Sequence, residues 1–196
     1  QDEGAWDGET GAVFNEADEM ELAAELLEVS DEAELDQFIG RLVKRAGRAL
    51  RTAIRSPIGR SLGGLLKGVA RRALPAVSGA VDSVLPGAGG MAGSAITSAA
   101  GNLFGLELEG MSAEDQEFEV ARRYVRLAGE AVKQAASAPA GASPQTVAKQ
   151  AVTAAAQHHA PGLVNRAGSA NGQQAGARAR SGRWVRRGGV IILMGI

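Results

Sequence analysis

The chain contains no cysteine and few aromatic residues, and each shortage excludes something. Without cysteine it can hold no disulfide, no thiolate metal ligand and no cysteine nucleophile. Phe, Trp and Tyr together make up only 4% of the 196 residues. A core must therefore be built from Leu, Val, Ile and many Ala, and thin surfaces of Ala and Gly suit close contact between helices. No apolar run approaches the roughly 20 residues of a membrane-spanning helix.

Residues that usually carry catalysis are also scarce. The two histidines, His158 and His159, are adjacent, and neighbours on a helix diverge by about 100°, so the pair cannot form a two-ligand face. A serine nucleophile needs a histidine held by a carboxylate, and no acidic residue follows Glu130. The run at 85–90, LPGAGG, lacks the Lys-Ser/Thr of a phosphate-binding loop. We therefore expect no enzyme activity, no metal site and no cofactor.

The net charge of −1 conceals a strong segregation of charge along the chain. Residues 1–40 hold fourteen acidic residues and no Lys or Arg, whereas residues 41–72 hold ten basic residues and no acid. Eight further bases follow Glu130. Such blocks repel themselves and attract an opposite block, in the same chain or in a neighbouring one. The plainer alternative is that they are solvated surfaces without a partner.

The hydrophobic pattern predicts a mainly α fold of about six amphipathic and Ala/Gly-rich helices, followed by a C-terminal β-hairpin. Capping residues mark helix starts at Asn15, at Asp31 with Glu34, and at Ser112 with Asp115. Residues 104–108 alternate apolar and polar or Gly, which indicates a short extended piece. The predicted helices cover about 15–28, 31–55, 56–74, 91–104, 112–138 and 144–159, with a further short helix near 75–85.

Composition divides the chain into four parts. These are an acidic N-terminal arm at 1–14, a helical domain at 15–162, a connector rich in Gly, Ala and Ser at 163–182, and the hairpin at 183–196. Trp6 is the large aromatic of the arm, and such a residue in a polar segment usually docks on a surface.

The start of the sequence suggests processing. It begins with Gln1 and has no initiator methionine, so either a leader was removed or the sequence is the ordered part of a longer chain. We expect an extracellular or cell-surface protein that has been processed at its N-terminus.

Small residues recur at a helical spacing in the stretch 56–105. Gly93, Thr97, Gly101 and Gly105 are four residues apart and would form a smooth groove that packs against another helix. Further glycines crowd the start of the stretch, and each costs about 1 kcal/mol relative to Ala within a helix, so close packing should offset that cost. These further glycines are Gly59, Gly63, Gly64 and Gly68.

The C-terminal hairpin presents apolar residues with little to cover them. Gly188-Gly189 separates two β-rich runs, which is a good hairpin signal. Two isolated strands are marginal in water and leave open edges. We expect another strand to complete the hairpin, either residues 104–108 or a strand of another subunit. The interface residues expected here are Trp184, Val190, Ile192 and Met194.

Three stretches of the chain resemble a family of uncharacterised bacterial proteins. They are 16–47, EADEMELAAELLEVSDEAELDQFIGRLVKRAG; 107–126, ELEGMSAEDQEFEVARRYVR; and 181–196, SGRWVRRGGVIILMGI. The resemblance extends from about Phe14 to the end of the chain. It implies a bacterial origin, and it implies no activity and no functional residues.

These features favour a self-assembling structural protein, a subunit of a bacterial extracellular filament or shell, whose partner is a homo-oligomer or polymer of itself. The alternative is a membrane-active protein, bacteriocin-like or pore-forming, in which the basic helix and an apolar hairpin at 75–104 insert into lipid. A third class is a nucleic-acid binder that uses the bases of 41–72. We do not expect a nucleic-acid partner, because stacking aromatics do not alternate with those bases.

Overall fold

The computed structural model describes residues 12–51, 56–74, 100–139 and 141–165, together with the backbone of 183–187 and 190–194. The prediction that the chain is mainly helical is confirmed. The chain divides into two compact units after Val164. The five long helices are α1 (Glu16–Leu27), α2 (Glu32–Ala49), α3 (Ser56–Ala73), α4 (Ala113–Ala136) and α5 (Pro144–His159). Residues 100–104 and 161–165 form two shorter helical segments.

Helix starts lie where the capping residues predict them. The Asn15 side chain accepts a hydrogen bond from the backbone N–H of Asp18 at 2.7 Å, and Asp31 accepts one from Glu34 at 2.8 Å. Ser112 caps α4 in the same way, at 3.2 Å. Each bond satisfies a backbone donor that the first turn of a helix leaves unpaired.

Two predicted boundaries differ from the structure. Helix α2 ends at Ala49 instead of about residue 55, because Arg51 takes a left-handed backbone with φ of +51°. The predicted extended piece at 104–108 is wrong. Phe104 closes a helical segment, Gly105 follows with φ of +66°, and the Leu106 N–H returns to the carbonyl of Gly101 at 2.9 Å. A left-handed glycine with such a returning bond is a common way to end a helix.

Helix α4 is the centre of the helical unit and contacts each of the other four long helices. Its most extensive contact is with α5, where both surfaces are rich in alanine. Larger apolar side chains fill the space between α4 and the remaining helices, as the shortage of aromatics predicts. They include Leu22 and Leu26 of α1, Phe38 and Leu42 of α2, and Leu62 and Leu66 of α3, all fully buried.

Two polar side chains are buried in this core. The Tyr124 hydroxyl donates a hydrogen bond to the backbone carbonyl of Leu66 at 3.1 Å, and burial raises the pKa of Tyr124. Glu19 is only 4% exposed, and its carboxylate accepts a hydrogen bond from the guanidinium of Arg126 at 2.7 Å. Both groups thus have the partners that buried polar atoms require.

The second unit, Asn165–Ile196, contains strands β1 (Arg183–Arg187) and β2 (Val190–Met194). They pair antiparallel in a two-stranded sheet, with Trp184 opposite Leu193 and Val185 opposite Ile192. Among the helices of the described part, none is both long and apolar enough to cross a membrane.

Replacing Tyr124 by Phe removes one hydrogen bond and keeps the ring that fills the core. We expect the free energy of unfolding to fall by about 0.5–1.5 kcal/mol, the usual net worth of one internal hydrogen bond. Urea denaturation followed by circular dichroism measures the change. Tyr124→Ala is the comparison, because loss of the ring should cost about 3–5 kcal/mol. A Phe variant as stable as the parent would show that the hydroxyl contributes nothing.

Candidate functional site

An open groove of about 1030 Å³ lies between the outer faces of α2 and α3. Ile39 and Val43 form part of its apolar floor, and α3 contributes no large apolar residue to its lining. Its remaining floor consists of Gly40, Gly47, Gly59, Gly63 and Gly64.

The glycine faces follow from how the two helices pack. On α3 the buried residues are Ile58, Leu62 and Leu66, so the glycines between them are left on the outer side. A methyl group added at Gly40 or Gly64 would meet no atom of the described residues within 4 Å. Of the glycines predicted to pack closely, Gly63 lies near Ile39, at 3.7 Å from an added methyl group, whereas Gly64 and Gly68 have no described atom within 4 Å of one. The groove offers a surface that a second backbone could approach closely.

The rim of the groove is basic. Lys44, Arg48, Arg51 and Arg60 line it, and none of them forms an ion pair with a described residue. Lys67, at one end, lies 2.6 Å from the carboxylate of Asp36, which raises the pKa of Lys67. The site thus combines an apolar floor with four cations that form no ion pair among the described residues.

Many other charges of the two opposite blocks pair within one chain. Arg45 of α2 contacts Asp18 at 2.5 Å and Glu21 at 2.9 Å, both on α1. Arg41 of α2 binds Glu25 of α1. Further pairs join Lys67 and Arg71 of α3 to Glu32 of α2. Of the two arrangements that the charge segregation allows, pairing within one chain is therefore the one that these residues adopt.

The predicted assembly residues are distributed over several places. A methyl group at Gly101 would lie 2.7 Å from the Leu108 side chain, and one at Gly105 would lie 3.0 Å from Pro161. These two glycines accommodate other parts of the same unit. The expected groove at this spacing is thus occupied by the chain itself where it is described. Trp6, Gly93 and Thr97 lie outside the described residues.

The strand residues of the predicted interface lie on β1 and β2. Trp184 stands opposite Leu193 in the register, whereas Val190, Ile192 and Met194 stand opposite other residues of β1. The structure thus brings the four into one hairpin without pairing Trp184 with any of the other three.

Sequence reasoning did not select the groove between α2 and α3 as the assembly site. Its signal was present in the crowded glycines after Ser56 and in the bases of α2. What the sequence did not give is that Gly40 of α2 and Gly64 of α3 lie on one surface. That juxtaposition depends on how both helices pack against α4.

A second, smaller cavity of about 240 Å³ lies beside α4 and the end of α5. Phe14, Glu130 and His159 are among the residues that line it. The Nδ1 atom of His159 is buried and has no hydrogen-bond partner among the described residues. Burial, followed by the nearby charge of Arg123, lowers the pKa of His159. Within the described ranges, no three His, Asp or Glu side chains form a group that could hold a metal ion.

Comparison of the chain with protein-family models, with curated proteins and with solved structures finds no match. The geometry and charge of the groove are therefore the basis for a functional assignment.

The lowered pKa of His159 predicts a pH dependence of stability. The unfolded chain takes up the proton first as the pH falls, so the stability due to the neutral ring is complete above about pH 6.5 and is lost below it. We expect the melting temperature of His159→Gln to fall less than that of the parent between about pH 7 and pH 5. His158→Gln, a change at the exposed neighbour, should alter the slope less than His159→Gln does, because it keeps the buried ring whose pKa is lowered mainly by burial. Identical slopes for His159→Gln and the parent would contradict this assignment.

Proposed function

We propose that this chain is a self-assembling structural protein, a subunit of a bacterial extracellular filament or shell. The single observation that carries the proposal is the groove between α2 and α3, which is wide, floored by glycine and open where a second backbone could lie. Helix packing into this groove, complementary charge at its rim and strand addition at the C-terminal hairpin are the three contacts that build the assembly.

The magnitudes indicate that several contacts must act together. Burial of one large apolar side chain contributes about 1.5–3 kcal/mol. Association costs an estimated 4–15 kcal/mol in lost translational and rotational freedom. A groove that receives only two large apolar side chains therefore forms a weak contact. A polymer becomes stable when each subunit forms more than one contact.

Gly64→Leu tests the groove because it fills the floor from within. Since the described chain has no atom near that position, the monomer should not be destabilised, and the loss of a helical glycine should favour α3 by up to about 1 kcal/mol. We expect the parent to form polymers as its concentration rises, and Gly64→Leu to need a far higher concentration. Light scattering coupled to gel filtration measures the mass, and negative-stain microscopy shows the form.

Gly68→Leu is the matched control. It also adds a side chain where no described atom lies within 4 Å, but Gly68 is not among the residues that line the groove. It should assemble like the parent. A parent that stays monomeric at every concentration, or equal assembly of Gly64→Leu and the parent, would refute assembly through this groove.

Strand addition at the hairpin is the second contact of the proposal. A two-stranded sheet leaves both outer edges without backbone partners, and a strand from another subunit would satisfy one of them. We prefer a strand of another subunit because residues 104–108, the candidate for a third strand within the chain, do not form a strand.

Removal of residues 183–196 tests that contact. The cut lies within the second compact unit, so we expect the shortened chain to keep its helical content. The concentration at which polymers appear should rise, because one of the contacts is lost. Circular dichroism measures the helicity, and light scattering measures the assembly. Unchanged assembly would exclude strand addition between subunits, and loss of the helical fold would favour a hairpin that completes its own domain.

A membrane-active protein is the second candidate. It is favoured by the four cations around the groove that have no ion-pair partner in the described part of the chain, since basic residues at a surface bind anionic lipid headgroups at about 1 kcal/mol each. Release of a trapped dye from anionic vesicles separates the two candidates. Rapid leakage at concentrations where the chain is monomeric would favour the membrane-active protein.

A further inference from the structure

Helix α1 exposes an apolar stripe on the side that faces away from the core. Met20 is 43% exposed and Leu27 is 37% exposed, which makes them two of the three large apolar residues exposed in the described part of the chain. Ala17 and Ala24 are also exposed and complete the stripe at steps of three and four residues. The opposite side of α1 is buried. A helix whose two sides are both apolar can bind a second surface.

This stripe cannot reach the groove of its own chain. Leu22 and Leu26 hold the inner side of α1 in the core, and Asp18 and Glu25 bind arginines of α2. The groove lies on a different face of α2, lined by Gly40, Lys44 and Gly47. With α1 fixed in this way, any α1 that enters the groove must belong to another molecule.

The spacing of the stripe matches that of the groove. Met20 and Leu27 are seven residues apart, which is two helical turns or about 10.5 Å along the axis. Gly40 and Gly47 on the floor have the same separation. Within α2 the groove follows the thirteen residues from Asp36 to Arg48, about 20 Å, and the twelve residues of α1 span about 18 Å. Large side chains of one helix can therefore lie over the glycines of the other at both ends of the contact, as knobs lie in holes.

The charges on the two surfaces are also complementary. Helix α1 carries no basic residue, and exposed acids flank its apolar stripe at Glu16, Glu21 and Glu28. No described cation pairs with the Glu28 side chain. The rim of the groove offers cations that likewise form no ion pair within the described ranges, among them Arg48 and Arg60. Pairing between them selects an acidic helix over a basic one.

From these matches we propose that α1 of one copy binds in the groove between α2 and α3 of a second copy. The proposal rests on the self-assembly proposed above and names the two surfaces that meet. Donor and acceptor surfaces are different parts of the chain, so the contact is head-to-tail. Such a contact repeats without end unless its rotation closes a ring, which gives a filament or a ring and not a two-fold dimer.

Two variants, each blocking one surface, test the contact. Met20→Asp places a charge in the stripe and leaves the groove intact, whereas Gly64→Leu fills the groove and leaves α1 intact. Each variant alone should polymerise only at a concentration about tenfold or more above the parent's, as expected when a large apolar contact is lost. Below that concentration, an equimolar mixture of the two should form a 1:1 complex and stop there, because one intact stripe and one intact groove remain. Analytical ultracentrifugation of the full-length chains measures both results.

Met111→Asp is the matched control. Met111 is 38% exposed and lies outside α1, so this variant should polymerise like the parent. Leu27→Asp repeats the test at the other end of the stripe in case Met20→Asp loses helicity by circular dichroism.

The remaining outcomes overturn the proposal in distinct ways. If the parent polymerises and both α1 variants polymerise equally well, α1 is not the occupant, although self-assembly stands. Variants that are each monomeric and show no complex when mixed would also exclude this contact. A less stable Gly64→Leu monomer in urea would show that the chain covers its own groove. A parent that never associates would refute self-assembly together with this contact.

Discussion

The burial of α4 by the four other long helices is the interaction on which the rest of this structure depends. Its alanines allow α5 to approach closely, and Tyr124 reaches from α4 to the backbone of α3. Because aromatics are few, the core is filled by many contacts between small and medium-sized apolar side chains. Helices α2 and α3 both rest on α4 by their buried leucines, and this arrangement leaves their glycine faces outward with the groove between them.

The segregated charges act mainly on the orientation of α1. Exposed ion pairs such as Arg41–Glu25 contribute little each, typically 0–1 kcal/mol. Together, the pairs of Arg41 and Arg45 with acids of α1 favour the orientation in which these opposite charges meet. The buried Glu19 is different, since removal of Arg126 would leave a carboxylate in the core with a weaker partner at 3.8 Å, Arg122. Among the described ion pairs, Lys44, Arg48, Arg51 and Arg60 around the groove take no part.

Local features of the fold could be predicted from the sequence, and features that depend on several segments could not. The starts of α1, α2 and α4 follow from Asn15, Asp31 and Ser112, since a cap involves only its own first turn. The end of α2 could not be read in this way, because Arg51 is an ordinary residue in a left-handed conformation. The contact of Gly101 with Leu108 could not be predicted either, since it forms only where the chain turns back after residue 104.

Glycines at helical spacing had two different meanings in this chain. Gly101 and Gly105 leave room for Leu108 and Pro161, so their lack of a side chain is used within the fold. Gly40 and Gly64 leave room that no described residue fills. Each helical glycine costs about 1 kcal/mol relative to alanine, and in an isolated monomer nothing in the described part would offset that cost at the open positions. A second backbone lying in the groove would offset it, because alanine or leucine there would hold that backbone away. The energetic argument that the sequence suggested for Gly59, Gly63, Gly64 and Gly68 thus applies to the groove between α2 and α3, which the first three of them line.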